Sequence, residues 1–581
     1  MKKLNSEIYK ADEIKNFKEL VKRSAEKYPN NVAYKFKTNF GKSNQKIVEK
    51  TYLQIKEEVE CLSTALLNMG LENKKIAVIG NNRYEWCVSY LAITTGNMVV
   101  VPLDKLLPEQ EIKSLIERSN VDAVIFEDKY NEVFENIRNN PIGNLKHYIN
   151  MDLNEDCEGT LSFNKLIEKG KEQISSGDTK YQNVEIDTEK MSVLIFTSGT
   201  TNTSKGVMLS QKNITSNIMG MAKMSKMYPD DVLLSFLPLH HTFECTITFL
   251  YGFYSGATIA FCDGLKYIAK NLQEYEVSVF VAVPLVLETM YKKIQKGIKE
   301  QGKEKLVRIM SKITKFLLMF RIDIRRKIFK SVLNQLGGKL RIAYFGAAAM
   351  DKNAIEGFNA FGIETVQGYG LTETSPLVAA ETDKQKCPGS VGMAPFNIEI
   401  KLEDVNDKGI GEIVTKGPNV MLGYYENEEA TKEVMEDGWF HTGDLGYFDK
   451  NGYLFIAGRK KEVIVLKNGE NVFPSDIENL VNKLPYVTES LLFPRENSKG
   501  ELALGIKIVY DKDEIKKHFE NKTEKEYKDL IWEDIKEINK NLSQFKRIKE
   551  LIITTEELEK TTTKKVKRFK EIEKILEKSN V

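Results

Sequence analysis

YLQIKEEVECLSTALLNMG at 52–70, KIAVIG at 75–80, a helical segment from Tyr84, MVVVPL at 98–103 and VDAVIF at 121–126 alternate two kinds of pattern. The first has apolar residues at three- and four-residue steps, the spacing of one helix face, whereas the short Val- and Ile-rich runs read as buried strands. Strands separated by helices imply parallel βαβ units. The pattern returns in SVLIFTSGT (192–200), VSVFVAVP (277–284) and LRIAYFGAAA (340–349), each an apolar run ending in small residues. In open α/β sheets ligands gather at such carboxyl-terminal strand ends. From about 387 to 456 the signal changes to short strands with glycine turns, GSVGM, IEIKLEDVNDKGIGEIVTKG and GYLFIAG, which predicts a β-rich lobe. The remaining C-terminal residues are Lys/Glu-rich and mixed α+β. A hairpin pattern ends at Gly458 and charged residues precede a new strand in GRKKEVIV (458–465), so the boundary between two bodies is placed there.

The chain has 581 residues, 41% hydrophobic and 29% charged, with 37 Gly and 14 Pro, which provides sizeable cores and excludes disordered and fibrous classes. Its 85 Lys+Arg nearly cancel 83 Asp+Glu, a formal +2, so charge gives no argument for nucleic acid and no such partner is expected. Six cysteines (Cys61, Cys87, Cys157, Cys245, Cys262, Cys387) form no C-x-x-C pair, and are read as small buried hydrophobes in a reducing, cytoplasmic compartment. No apolar h-region follows the first lysines, and no apolar run reaches the roughly 18 residues of a membrane span.

Three blocks carry chemistry. In Thr197-Ser198-Gly199-Thr200-Thr201-Asn202-Thr203-Ser204-Lys205-Gly206, hydroxyls and glycine backbone can wrap an anion and Lys205 adds a point charge, as a polyphosphate requires. A solvated loop would have similar composition. A Walker A loop needs Gly before its Lys and Ser or Thr after it; Ser204 and Gly206 flank Lys205 instead. The second block, Gln367-Gly-Tyr369-Gly-Leu-Thr372-Glu373-Thr-Ser-Pro376, offers an aromatic to stack on a base and a carboxylate able to hold Mg²⁺ beside phosphates. In the third, 437–478, Asp444 offers an acceptor for ribose hydroxyls and Arg459 a permanently charged donor.

Taken together, TSGTT…SKG, YGLTE, TGD and GRKKE resemble, in order and spacing, the core motifs of adenylate-forming enzymes: acyl-CoA synthetases, firefly-type luciferases and peptide-synthetase adenylation domains. The DGW…TGD…G…G…R…G…E frame is most similar to the signature of fatty acyl-CoA synthetases. The resemblance covers essentially the whole chain. It implies an N-terminal adenylation domain over 1–460 and a mobile C-terminal domain over 461–581. It also implies Thr197, Ser198, Gly199, Thr200, Thr201 and Lys205 at the β- and γ-phosphates, Tyr369 on adenine with Gly346, Ala347 and Ala348 as the other wall, and Thr372 at the α-phosphate. Glu373 would hold Mg²⁺, Asp444 and Arg459 the ribose, and Lys461 would be the hinge; Gly469 would lie toward the pantetheine tunnel of coenzyme A. The family's P-K-T-x-x-G-K-[IV]-x-R motif aligns with Glu559–Arg568 and makes Lys565 the catalytic residue, although Glu559 replaces Pro and Lys564 replaces Gly. Asn202 replaces a usual Gly and tolerates the same left-handed backbone. In Leu239-His240-His241-Thr-Phe-Glu244 the family places an acyl-positioning histidine, read as His241. A metal pair is not expected, because adjacent histidines share no helix or strand face. Phe249 and the VFVAVP segment are candidate pocket walls or ordinary core.

The expected activity is ATP-dependent conversion of a fatty acid to acyl-AMP and then to a coenzyme A thioester, with Mg²⁺. Two alternatives stay open: transfer to a carrier-protein pantetheine or adenylation alone, and a non-catalytic nucleotide-binding protein. Chain length and oligomeric state are left open. Finally, 291–330 carries fourteen basic residues, among them Arg325, Arg326 and Lys327, against Glu300, Glu304 and Asp323. Leu306, Met310, Ile313, Leu317, Phe320, Ile324 and Ile328 recur within it at three- and four-residue steps, which predicts one amphipathic stripe. That stripe reads either as a helix packed on the protein or as a peripheral contact with the inner face of a membrane.

Overall fold

A computed structural model describes residues 4–197, 204–466, 471–496, 502–560 and 566–579. Two eight-stranded sheets form the N-terminal body. One runs Leu377–Ala380, Glu364–Gly370, Ile342–Phe345, Val279–Ala282, Val232–Ser235, Thr258–Phe261, Val32–Thr38, Lys46–Thr51; the other runs Gly423–Tyr424, Lys205–Ser210, Met191–Thr197, Val99–Pro102, Lys75–Ile79, Ala123–Phe126, His147–Asn150, Leu161–Ser162. The alternation at 52–126 forms as expected: Lys75–Ile79 pairs parallel with both Val99–Pro102 and Ala123–Phe126. These strands read as unbroken apolar runs because both faces are covered. Ile76 and Val78 enter a core shared with helix Tyr52–Asn68, while Ala77 and Ile79 enter a second core with Ile112, Leu115 and Ile116. The other sheet divides the same way. Val279 and Val281 reach the shared core, and Phe280 and Ala282 an outer one with Leu287 and Phe358. One core is thus sandwiched between two sheets, with a helical layer outside each.

Local chemistry sets the ends of elements. Thr51 caps helix Tyr52–Asn68 in a reciprocal pair with Gln54, satisfying orphan donors of the first turn, and Gly70 follows with φ 78°. The β-rich lobe is a five-stranded antiparallel sheet whose long strand, Trp439–Phe448, pairs with Gly411–Lys416, Met435–Glu436 and Leu454–Arg459. The C-terminal domain packs Pro474–Val481 and Glu524–Lys540 on a three-stranded sheet of Val487–Glu496, Leu502–Tyr510 and Ile548–Thr554, around Ile477, Ile506, Ile531 and Ile535.

Four expectations need correction. The parallel βαβ pattern read into SVLIFTSGT holds only on one side: Met191–Thr197 pairs parallel with Val99–Pro102 but antiparallel with Lys205–Ser210, the strand that follows the phosphate-loop candidate. The polar stretch ahead of residue 52 reads as helical from its sequence; it does hold a helix, Phe17–Lys27, but beyond it a paired edge forms instead, Val32–Thr38 with Lys46–Thr51. Of the cysteines, Cys61, Cys87 and Cys245 are buried, but Cys157 is exposed and Cys262 and Cys387 are half-buried. The segment 291–330 is not one helix: Pro284–Glu300, Glu304–Met319, Arg325–Ile328 and Lys330–Asn334 succeed one another. Arg325 is committed to Asp323, Glu364 and the Asn359 carbonyl, and Arg326 to the carbonyls of Gly338, Leu340 and Gly362, so both hold protein to protein. Among the described residues no helix is long and apolar enough to cross a membrane.

Candidate active site

The parallel strands of the first sheet end on one side, and their next residues are Phe236–His241, Gly346–Ala348 and, beyond Gly370, Thr372–Thr374. Gly346 is required by closeness: a methyl group there would lie 2.9 Å from the Gly368 carbonyl oxygen and 3.8 Å from the Phe243 ring. At Gly370 the same methyl would overlap the Pro376 carbonyl oxygen at 1.6 Å. Gly346 thus lets the Tyr369 strand sit flush beside its turn, where Ala347 adopts φ 70° and Ala347 and Ala348 are exposed, and Gly370 lets the same strand close against Pro376 on its other side.

Tyr369 is half-buried, and its hydroxyl donates to Asp444 Oδ2 at 2.7 Å. Arg459 Nε meets Asp444 Oδ1 at 2.8 Å across the lobe's strand pair, in which Asp444 and Arg459 are direct partners. Burial first, and then the Asp444 carboxylate, push the Tyr369 phenol far above its ordinary range, so it is a fixed donor. The Asp444 amide is in turn held by Thr442 Oγ1 at 3.0 Å.

A second group lies where the other sheet arrives. Thr197 and Lys205 face each other at the hairpin mouth, and Arg118 donates to Ser204 Oγ at 3.0 Å. Lys205 Nζ stands 4.7 Å over the Tyr424 ring, and the Tyr424 hydroxyl donates to Glu373 Oε1 at 2.9 Å. Burial and the Glu373 carboxylate raise the Tyr424 phenol well above its usual value, while Arg459 opposes this, so the two groups share one electrostatic neighbourhood. Thr372, next to Glu373, is half-buried at the same rim.

His240 and His241 occupy the turn after Val232–Ser235, with ring centroids 4.0 Å apart. His240 is buried 3.6 Å from Asp104, and burial, then His241, then Lys105 keep it neutral; His241 is half-buried. The turn is tied down by Glu244, which accepts from Ser235 Oγ at 2.7 Å and Thr248 Oγ1 at 2.8 Å, while Asn82 donates to Ser235 Oγ at 2.9 Å. Glu244 is wholly buried and burial pushes its carboxyl up to about 8, so at neutral pH it is mostly protonated. Phe249 is fully buried core, 5.8 Å edge-on from Tyr90 and 6.4 Å from Trp86. Val279–Ala282 is likewise buried on both faces.

Lys461 is exposed between two anchored neighbours. Lys460 pairs with Glu412 at 2.6 Å and Asp404 at 3.4 Å in the β-rich lobe, whereas Glu462 faces Arg568 of the C-terminal domain at 3.7 Å. Ser198, Gly199, Thr200, Thr201, Gly469 and Lys565 lie outside the described residues. The base of the Lys565 segment is closed by a bridge between Lys560 and Val566, and Lys567, Lys570 and Lys574 surround Glu559, holding its carboxylate down at about 2.

Of the residues singled out from sequence, the structure brings Lys205 and Glu373 together through Tyr424, and Tyr369, Asp444 and Arg459 directly. Arg118, Tyr424 and Glu244 were not foreseen as site residues. Tyr424 carries no local signal, since it arrives through a two-residue strand paired with Val207 and Met208 far earlier in the chain.

Residues 21–425 match the family of AMP-binding enzymes, and 461–578 match the C-terminal domain of AMP-binding enzymes. The chain is 31% identical to long-chain-fatty-acid–CoA ligase 5 of Rattus norvegicus, over 89% of this chain and 81% of that one. It is 30% identical to long chain acyl-CoA synthetase 4 of Arabidopsis thaliana, over 81% and 75%. Its fold is similar to that of the anthranilate CoA ligase AuaEII in complex with anthranoyl-AMP, with a TM-score of 0.75 at 19% identity over 98% and 99% of the two chains.

Proposed function

The chain belongs to the AMP-binding enzyme family, and from that premise we propose that it activates a long-chain fatty acid with ATP and passes the acyl group to coenzyme A. The observation that carries the reading is the convergence of Lys205 from one eight-stranded sheet, Glu373 from the turn beyond the other, and Asp444 and Arg459 from the β-rich lobe, around Tyr369 and Tyr424. It supplies cations, a carboxylate and an aromatic within one rim, as a nucleoside triphosphate demands. The fatty-acyl class is supported by the DGW…TGD frame and by the names of the relatives.

In the first step a carboxylate oxygen attacks the α-phosphorus of ATP and pyrophosphate leaves with the bonding pair. Negative charge gathers on phosphoryl oxygens, so the protein acts by positioning and by electrostatics. Lys205 and the hydroxyls of 197–201 receive the departing phosphates, Thr372 the α-phosphate, and Lys565 supplies a further cation. Glu373 fits a Mg²⁺ site made of one carboxylate plus substrate oxygens, where the ion would neutralise phosphate charge. Tyr369 and the Gly346–Ala348 turn clasp the base, Asp444 and Arg459 the ribose, and His241 orients the carboxylate. In the second step the coenzyme A sulfur attacks the acyl carbonyl, losing its proton, and AMP departs.

The two steps need different surfaces over one adenylate, which a hinge provides. Lys461 suits that role because its neighbours are anchored to different bodies, so backbone rotation there leaves both anchors intact. Gly469 then borders the thiol path. The test is thioester formation with a chain-length series of fatty acids, offering free coenzyme A or a pantetheinylated carrier protein. Long-chain thioesters with free coenzyme A are expected. Transfer only to the carrier, or a preference for short or aromatic acids, would overturn the reading.

A further inference from the structure

The helix Glu304–Met319 has three longitudinal stripes rather than two. At 3.6 residues per turn, Leu306, Ile309, Ile313, Phe316 and Phe320 fall within about 80° of arc and extend for about 21 Å. All five are exposed, Leu306 and Ile309 at 53%, Ile313 at 42%, Phe316 at 58% and Phe320 at 62%, and Met319 beside them is exposed at 77%. The side that adjoins one edge of this stripe carries Val307 and Met310 against the outer core and the buried Thr314, and so attaches the helix to the protein. Along the other edge of the apolar stripe run Lys305, Arg308, Lys312 and Lys315, all exposed. Glu304 lies roughly opposite the stripe, and Asp323 is neutralised by Arg325.

We infer that this helix docks on an anionic lipid surface, lying in the interface plane with Phe316 and Phe320 inserted and the lysine edge at the headgroups. A stripe of large apolar side chains in water is costly unless something covers it, and an isolated apolar face could be covered by many things. The continuous cationic edge restricts the choice: a negatively charged surface with an apolar interior satisfies both stripes at once. Arg325 and Arg326, which sequence alone assigned to the same basic face, take no part, because protein carboxylates and carbonyls already occupy them. The inference concerns where the protein sits, and its test does not depend on catalytic activity.

Co-sedimentation with vesicles of equal phosphatidylglycerol and phosphatidylcholine, against phosphatidylcholine alone, is the experiment. The full chain should bind the anionic vesicles, release at high salt, and ignore the neutral ones. Arg308→Glu with Lys312→Glu and Lys315→Glu should lower binding by at least about 10²-fold, at about 1 kcal/mol for each cation removed. Phe316→Ser with Phe320→Ser should lower it independently by about tenfold or more. All five positions are exposed, so unfolding temperatures should hold. As a gain of signal, Phe316→Trp should shift its emission to the blue with anionic vesicles only. Binding unchanged in both multiple variants, or no shift at Trp, would overturn the inference. So would a wild-type dimer that Phe316→Ser with Phe320→Ser converts to monomer without any vesicle binding, since the stripe would then meet a second copy of the chain.

Discussion

Glu244 offers a perturbation whose size follows from its burial. The carboxyl is wholly enclosed and titrates at about 8 in the folded protein, against 4.5 for a free glutamate. A folded-state value above the unfolded one means the native chain holds the proton longer, so its stabilising contribution is complete below about 4.5 and is lost as pH rises through 8. Integrating that difference, wild type should lose about 3 kcal/mol between pH 5 and pH 8 through this group alone. Glu244→Gln keeps the shape, an acceptor for Ser235 and an amide that can donate to Thr248, and it cannot ionise. The variant should match wild type near pH 5 and exceed it at pH 8. With unfolding entropy near 2.1 cal/mol/K per residue over roughly 450 cooperative residues, the gap corresponds to about 3 °C in midpoint. Thermal unfolding of both proteins across pH 5–8 reads it, and the difference cancels all other titrating groups. Parallel curves, or a variant less stable at pH 8, would show that Glu244 is ionised in its pocket or that its hydrogen bonds matter more than its proton.

Lys565→Ala should slow adenylation by about 10² or more, as loss of one charge-stabilising donor does, while thioester formation from preformed acyl-AMP is spared; equal loss in both half reactions, or the same effect at Lys564, would refute the assignment. Gly469→Trp should still form acyl-adenylate but not the thioester, in a coupled assay of each step; normal thioester output would place the thiol path elsewhere. Asp444→Ala strands the Tyr369 hydroxyl and the Arg459 guanidinium, so ATP affinity by calorimetry should fall about 10- to 100-fold; unchanged affinity would remove the ribose role.

What could be read from sequence had local causes. Strands such as Lys75–Ile79 announce themselves because both their faces are buried, and the Gly346 and Gly370 turns because close backbone approach excludes any side chain. The edge pair Val32–Thr38 and Lys46–Thr51 is half polar, as an edge must be, and so carries no clear strand pattern and reads as part of the helical lead-in. Tyr424 was invisible because its position depends on a long-range strand pair. The stripe at 306–320 was misread for a further reason: periodicity counts apolar positions without saying which side the protein covers. Met310 belongs to the packed face and Leu306, Ile313 and Phe320 to the bare one.

The central claim is that these clustered residues make an adenylate from a fatty carboxylate. Carboxylate-dependent exchange of labelled pyrophosphate into ATP measures that step alone. Exchange that requires both Mg²⁺ and a long-chain fatty acid is the predicted result; exchange no greater than the carboxylate-free background, with every fatty acid supplied to folded protein, would contradict it.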